Sequence, residues 1–196
     1  AFIKAGKEAG YKETNDISGY CQEGFGIFDR TVFKGERWST TRGYLDPVRD
    51  RKNLTIITKA LVCKLILENN KATGVCFKDN KNKIFNVKSN KEVILCAGAV
   101  GSPHILMLSG IGPKDHLKSM GINLIADMPG VGQNLQDHPD FMIKYKCLKP
   151  VTLWPKTKRL NSIGAGIQWL LTKEGMCASN HFDSVACIRS GPGVEY

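Results

Sequence analysis

Asp183 is the residue whose setting most strongly predicts a chemical role. It lies in the stretch from Phe182 to Ile188, an apolar run that predicts a strand. A carboxylate in such a run costs free energy unless a partner satisfies it, so Asp183 is a candidate ligand-binding residue. The alternatives are an ion pair, with Arg189 as a candidate partner, and a position at an exposed strand edge.

The segment from Glu92 to Gly112 has the pattern of a strand that turns into a helix. Residues 92–96 form a short apolar run typical of a buried strand, and residues 97–101 carry almost no side-chain bulk. Ser102 is a suitable N-cap, and Pro103 suits a first helical turn. Such a turn is one way to bind an anionic cofactor. The alternative is a close-packed corner without a ligand.

The spacing of the histidines and cysteines does not indicate a metal site. The four histidines are at 104, 116, 138 and 181, and the seven cysteines are at 21, 63, 76, 96, 147, 177 and 187. Cysteines within apolar runs pack as small hydrophobic groups, which favours a reducing compartment and no disulfide framework. We interpret His138 as a structural residue satisfied locally, by the backbone or by Asp137, and His104 as a half-exposed helix residue.

The 196 residues carry a formal net charge of +10, from 28 basic and 18 acidic side chains. The lysines are scattered through predicted turns, as in residues 78–83 and 88–91, without interleaved aromatic residues. This distribution favours a solvated surface over a nucleic-acid site, with a basic binding module as the alternative. No apolar run approaches the length of a membrane span.

The elements that must position these residues combine hairpins with strand–helix units. A β-meander is predicted from strands at residues 53–59, 60–67, 72–77 and 84–87. Further strands are predicted at 122–128 and 141–147, and helices at 2–9, 113–120 and 161–171. The fold class is therefore α+β, or mixed α/β.

Residues 98–112 resemble the second signature of the glucose-methanol-choline (GMC) flavoprotein oxidoreductases. They read GAVGSPHILMLSGIG, with small residues first, Ser-Pro next and Ser-Gly-Ile-Gly at the end. Other similar blocks are QEGFG (22–26), DRT (29–31), RWSTTRGYLDP (37–47), NLTI (53–56) and PGVGQNLQDHP (129–139). The resemblance covers essentially the whole chain. Within the family, GYLDP, NLQDHPDFMIKYKC and ASNHFDSVACIR are most similar to the choline dehydrogenases.

The resemblance implies the central portion of such an enzyme. The family's N-terminal GxGxxG fingerprint and its C-terminal catalytic histidine pair are expected outside this sequence, so we assign no catalytic residue. We expect residues 1–138 to be part of an FAD-binding domain that includes the β-meander. Residues 139–196 are expected to begin a substrate domain with an antiparallel sheet. The chain alone is expected to be inactive and without tightly bound FAD.

The resemblance implies FAD as the cofactor, with three residues of this chain near it. Val62 corresponds to a strand residue whose main-chain groups hold the adenine edge. Ala97 and Gly98 are the small residues that let the strand end approach the adenosine side. Ordinary packing is the alternative for all three.

The resemblance also implies an alcohol substrate, and the expected one is choline, oxidised to betaine aldehyde by hydride transfer to the flavin. Asp183 stands where choline-type members have a glutamate that binds the quaternary ammonium. It is one methylene shorter, which moves the charge back by about 1.5 Å. Phe141, Trp154 and Trp169 are candidates for an aromatic cage around the cation.

Two alternatives to choline oxidation stay open. One is a GMC dehydrogenase for an uncharged aliphatic or aromatic alcohol, and the other is a non-catalytic fragment or basic binding module. We expect a cytoplasmic protein, with membrane association as the alternative, and neither a nucleic-acid partner nor a metal. A membrane-associated electron acceptor is a candidate partner of the full enzyme.

Overall fold

The computed structural model describes residues 1–149, 151–191 and 193–194 of the chain. Its α-helices are α1 Phe2–Glu8, α2 Gly98–Leu108, α3 Lys114–Ser119, α4 Trp154–Thr157 and α5 Arg159–Thr172. Its strands are β1 Gly24–Ile27, β2 Val32–Phe33, β3 Glu36–Arg37, β4 Leu61–Glu68, β5 Lys71–Lys78, β6 Ile84–Lys88, β7 Ile111–Gly112, β8 Ala126–Asp127 and β9 Ser184–Cys187. Helices occur together with mainly antiparallel sheets, so the predicted mixed α+β class is confirmed.

The chain divides into two compact units. The first unit combines residues 1–54 with residues 144–196, and the second consists of residues 55–143. The sequence predicts a different division, at residues 138 and 139, between a cofactor domain and a substrate domain. That boundary stays a prediction.

The second unit contains the predicted β-meander. Strands β4, β5 and β6 form a three-stranded antiparallel sheet in that order. Asn69 and Asn70, with φ angles of 51° and 61°, join β4 to β5. Two successive residues with positive φ are what a tight two-residue hairpin turn requires. Phe77 is buried in this sheet and stacks on Phe85, with the ring centroids 5.3 Å apart.

Helix α2 begins earlier than its sequence indicates. The N-cap position is Ala97 rather than Ser102, and the Ser102 hydroxyl accepts the Ala97 N–H at 3.0 Å across the first turn. Pro103 therefore lies inside the helix, where its missing N–H removes one helical hydrogen bond. After α2, β7 pairs in parallel with β8, and helix α3 between them buries Leu117 completely.

The first unit is held together by pairing between distant parts of the chain. Strand β1 pairs antiparallel with β9, ending at Ile27 opposite Ser184. Strands β2 and β3 form a hairpin whose turn residues, Lys34 and Gly35, both have positive φ. The Trp169 indole N–H of α5 donates to the Gly35 carbonyl oxygen at 2.7 Å, which fixes the hairpin against this helix.

Three predicted strands are wrong in the part of the chain that the structure describes. These segments have no strand partner there: residues 53–59, 92–96 and 141–147. The predicted strand at 122–128 is reduced to β8. A segment becomes a strand only when another extended segment pairs with it, so a run of residues with high strand propensity is not sufficient to form one. Ile94, expected to be buried, is 75% exposed as a result.

Helix α5 exposes its most apolar stripe. The side chains that are more than half exposed share one face, at Ile163, Ile167, Leu170 and Leu171. The half-buried face consists of Ser162, Ala165, Gly166 and Trp169. This is the reverse of a usual surface helix, whose apolar stripe faces the core. Among the helices described, none combines the length and the apolar character needed to cross a bilayer.

Candidate functional site

Ala97 and Gly98 lie at the exposed N-terminal end of helix α2. Gly98 has a φ of +83°, a conformation that other residues rarely adopt, and a Cβ built there would meet no atom within 4 Å. The backbone therefore requires glycine, and the space beside it is open. The first amides of a helix also stabilise negative charge at this end. Packing against a neighbour does not account for the glycine.

Val62 lies near the start of β4, where the ladder is irregular. It pairs with Phe77, but the next pair is Lys64 with Cys76, so Cys63 is an extra residue on β4. A bulge of this kind bends the strand and leaves main-chain groups out of the ladder. The Val62 side chain is half-buried, and the register shift next to it lies between Val62 and Lys64.

Ser109 connects β4 to α2. Its hydroxyl accepts the Leu65 N–H at 2.8 Å and donates to the Ile105 carbonyl oxygen at 2.6 Å, and the residue is buried. The C-terminal end of helix α2 therefore contacts β4. Gly98 lies at the opposite end, roughly 16 Å away along the axis at about 1.5 Å per residue. No hydrogen bond of the described residues joins Val62 to Ala97 or Gly98, although all three lie in the second unit.

A surface cleft lies beside the N-terminal half of α2. The helix supplies one wall with Ala99, Val100, Pro103, His104 and Met107, and the loop 132–136 supplies the other. The cleft therefore combines an apolar helix wall with the amide side chains of Gln133, Asn134 and Gln136, a composition typical of small-molecule sites. His104, expected to be half-exposed, is exposed and borders this cleft.

Asp183 is paired with Arg30 and not with Arg189. The Arg30 Nη1 lies 2.8 Å from Asp183 Oδ1 and donates a second hydrogen bond to Ser179 Oγ at 2.5 Å. Arg189 is paired with Glu23 at 3.3 Å. The expectation of a carboxylate inside an apolar strand is wrong, because β9 begins one residue later and the Asp183 side chain is 74% exposed.

Three aromatic side chains form a depression next to Arg30, which we call the aromatic depression. Phe33, Trp38 and Tyr44 line it together with Arg30. The Phe33 and Trp38 rings meet edge to face, with centroids 4.9 Å apart. Exposed aromatic faces attract cations. Two of these rings already have one, since Lys34 Nζ lies 5.3 Å from the Phe33 centroid and Arg42 Cζ lies 6.0 Å from the Trp38 centroid. The first unit therefore contains both aromatic faces and a carboxylate, and Arg30 both lines the aromatic depression and binds the carboxylate of Asp183.

The three residues predicted to form an aromatic cage have separate settings. Phe141 belongs to the second unit and is exposed, and Trp154 is exposed on α4. Trp169 is half-buried, and the Lys173 ammonium lies 4.0 Å from its ring centroid. Lys173 covers one face of the Trp169 ring, and the Trp169 indole N–H donates to the Gly35 carbonyl oxygen. Trp169 therefore has the role of a packing residue.

Glu36 is the centre of a charged cluster where the hairpin meets α5. Lys173 Nζ lies 2.8 Å from its Oε1, and Arg42 Nη1 lies 2.5 Å from its Oε2. The hydrogen bond from Lys173, and then the one from Arg42, lower the pKa of this carboxyl from its ordinary value of 4.5. Both bonds favour the ionised form.

The described residues contain no cluster of three or more His, Cys, Asp or Glu side chains that could hold a metal ion. The main-chain N–H of His138 donates to Asp137 Oδ1 at 2.8 Å; this contact does not involve the imidazole, so the interpretation of His138 as a locally satisfied structural residue stays a prediction.

Comparison with known proteins gives consistent matches. The family model described as GMC oxidoreductase matches residues 1–140. An oxygen-dependent choline dehydrogenase of Ectopseudomonas mendocina is 47% identical over 194 residues, which cover 98% of this chain and 34% of that protein. A second, from Staphylococcus xylosus, is 46% identical over 196 residues, which cover 100% of this chain and 35% of that protein.

A solved structure also matches the fold. The FAD-dependent oxidoreductase from Chaetomium thermophilum superposes with a TM-score of 0.78 at 29% identity, covering 94% of this chain and 33% of that one. The chain thus spans about a third of the length of the relatives it matches.

Proposed function

Because the chain belongs to the GMC oxidoreductase family, we propose that the whole protein carrying it is an FAD-dependent oxidoreductase that acts on an alcohol. Identity of 47% across 98% of the chain with an oxygen-dependent choline dehydrogenase is the observation that carries this proposal. Bound FAD supplies the two-electron acceptor for oxidation of the alcohol to the aldehyde.

The residues proposed to hold FAD have features that fit the group. Ala97 and Gly98 give an exposed, bulk-free surface at a helix N-terminus, where there is space for a ligand. The main chain of Val62 lies beside a bulge, where groups not used by the ladder can read an adenine edge. In this proposal these residues contact the adenosine part of FAD, and none of the four histidines of this chain is assigned as the base.

Choline is the proposed substrate. A quaternary ammonium cannot accept or donate hydrogen bonds, so its binding depends on carboxylates and aromatic faces. Asp183 offers an exposed carboxylate, of which Arg30 binds Oδ1, and Arg30 is also one of the residues that line the aromatic depression. The matched relatives are named as oxygen-dependent choline dehydrogenases, which agrees with this chemistry.

An uncharged alcohol is the second candidate substrate, and one observation favours it. Arg30 carries a positive charge within 2.8 Å of Asp183, so the pair has no net charge. A site that contains a neutral pair attracts a cation less strongly than one that contains a free carboxylate.

Anaerobic titration of the flavin-loaded whole protein tests the proposal. Choline is compared with 3,3-dimethyl-1-butanol, a neutral molecule of nearly the same shape, and with benzyl alcohol. We expect choline to bleach the visible absorbance of the flavin at the lowest concentration. Bleaching by the neutral alcohols alone would replace choline with an uncharged substrate. A purified whole protein that contains no flavin would favour the basic binding module instead.

A further inference from the structure

Arg30 is held by two partners at the end of the β1–β9 ladder. Its Nη1 donates to both Asp183 Oδ1 and Ser179 Oγ, at 2.8 Å and 2.5 Å. The Ser179 hydroxyl oxygen also accepts the N–H of His181 at 3.0 Å. An arginine with two acceptors on one nitrogen has little freedom to leave either of them.

The backbone brings these residues together from opposite ends of the chain. The Phe28 N–H donates to the Asp183 carbonyl oxygen at 3.3 Å, which continues the β1–β9 ladder by one step. Arg30 follows two residues later, so its side chain meets Asp183 just beyond the ladder. The arginine side chain is 33% exposed and that of Asp183 is 74% exposed.

We propose that Arg30 is a positioning residue that sets how strongly the Asp183 site prefers a quaternary ammonium alcohol over its neutral isostere. This inference rests on the proposed function. Arg30 fixes Oδ1 and thereby orients the second oxygen of the carboxylate for the substrate. Its own charge offsets part of the attraction between that carboxylate and the cation. Preference for choline is therefore moderate in the natural protein and increases when the charge at position 30 is removed.

Two substitutions separate charge from structure. Arg30→Gln removes the charge and keeps a hydrogen-bond donor, whereas Arg30→Lys keeps the charge and loses the planar guanidinium group. For each flavin-loaded whole protein, the concentration dependence of anaerobic flavin reduction gives Kd for choline and for 3,3-dimethyl-1-butanol. The readout is the ratio of the two Kd values, which general loosening of the fold does not change.

We expect Arg30→Gln to raise the preference for choline over the neutral isostere by roughly threefold to tenfold, the range for one partly screened charge several ångströms away. Arg30→Lys should keep the ratio within about twofold of the natural protein, because the charge persists. Arg30→Met is the second charge-removing variant and should shift the ratio in the same direction as Arg30→Gln.

The outcomes separate this inference from the function on which it rests. If choline does not reduce the flavin of the natural protein, the proposed function fails and the inference fails with it. If choline reduces it but Arg30→Gln and Arg30→Met weaken both ligands equally, Arg30 is only a structural ion-pair partner and the inference alone is overturned. A ratio that changes as much in Arg30→Lys as in Arg30→Gln overturns it as well.

Discussion

Gly98 adopts a backbone conformation that only glycine accepts without strain, at a place where the surface is open. Gly121, which follows α3, has the same two properties, with a φ of +68° and no atom within 4 Å of a Cβ. The two glycines are therefore matched in backbone strain, but only Gly98 belongs to the proposed cofactor site. This pair allows the binding role of Gly98 to be separated from its conformational role.

Gly98→Val is expected to lower the ratio of bound FAD to protein by roughly tenfold, because the branched side chain fills the space proposed for the cofactor. Gly121→Val carries a similar backbone cost and should keep the FAD content of the natural protein. The flavin-to-protein absorbance ratio of the purified whole protein measures both. Equal loss in the two variants would mean that strain alone is responsible and that Gly98 does not contact FAD.

At the residue scale, the sequence indicated individual candidate site residues but not the residues that hydrogen-bond to them. The small residues at 97 and 98 were recognisable because glycine and alanine remove bulk wherever they occur. Arg30 and Ser109 lie in blocks that resemble the family, but their partners were not predicted, since these lie far along the chain, at 183 and 65. Only the pairing of β1 with β9 and the docking of α2 on β4 bring those partners together, and a single sequence does not state such pairings.

At the element scale, the turn and strand patterns in the sequence predicted the β-meander. They did not predict which of the other extended segments pair with a second strand. The turn at Asn69 and Asn70 closes β4 on β5 through residues that are adjacent in sequence. Residues 92–96 have a composition as suitable for a strand as that of β4 and β5. They need a partner segment to pair with, however, and none of the described residues provides one. Helix α5 was predicted from its periodicity, whereas the direction of its apolar stripe depends on what packs against it.

The hairpin of β2 and β3 is attached to α5 by Glu36 and by Trp169. The lowered pKa of Glu36 means that the folded state holds its proton more weakly than the unfolded state does. Its ion pairs therefore stabilise the fold fully above the unfolded pKa, and this stabilisation is lost as the pH falls through the lowered folded pKa.

The difference in Tm between the natural protein and Glu36→Gln should be largest above the ordinary glutamate pKa of 4.5 and should shrink as the pH falls through the lowered pKa of the folded state. Thermal unfolding across this pH range measures it. Glu174→Gln, a change at an exposed acid close to Lys173 in sequence, is the matched control and should show little difference at any pH. A Glu36→Gln difference that is constant with pH would show that the carboxylate charge does not stabilise the hairpin.

At the scale of the whole molecule, the two units carry different parts of the proposed chemistry. The second unit contains Val62, Ala97 and Gly98, proposed to contact FAD, and the first contains Asp183 with Arg30 and the aromatic depression. The residues matched by the family model extend from 1 to 140 and thus include most of the second unit and part of the first. Under the proposed function, the two sets of residues serve one reaction, which requires both FAD and a cationic alcohol.

The central claim is that the carboxylate of Asp183 selects a cationic alcohol. The measurement that tests it most directly is the ratio of Kd values for 3,3-dimethyl-1-butanol and choline, from anaerobic flavin reduction, in the natural whole protein and in Asp183→Asn. We predict that the natural protein prefers choline and that Asp183→Asn loses this preference by roughly tenfold, since the substitution keeps the shape and removes the charge. Asp29→Asn, the same charge change at an exposed acid of the first unit, should keep the ratio within about twofold. An Asp183→Asn protein that prefers choline as strongly as the natural protein would contradict the claim.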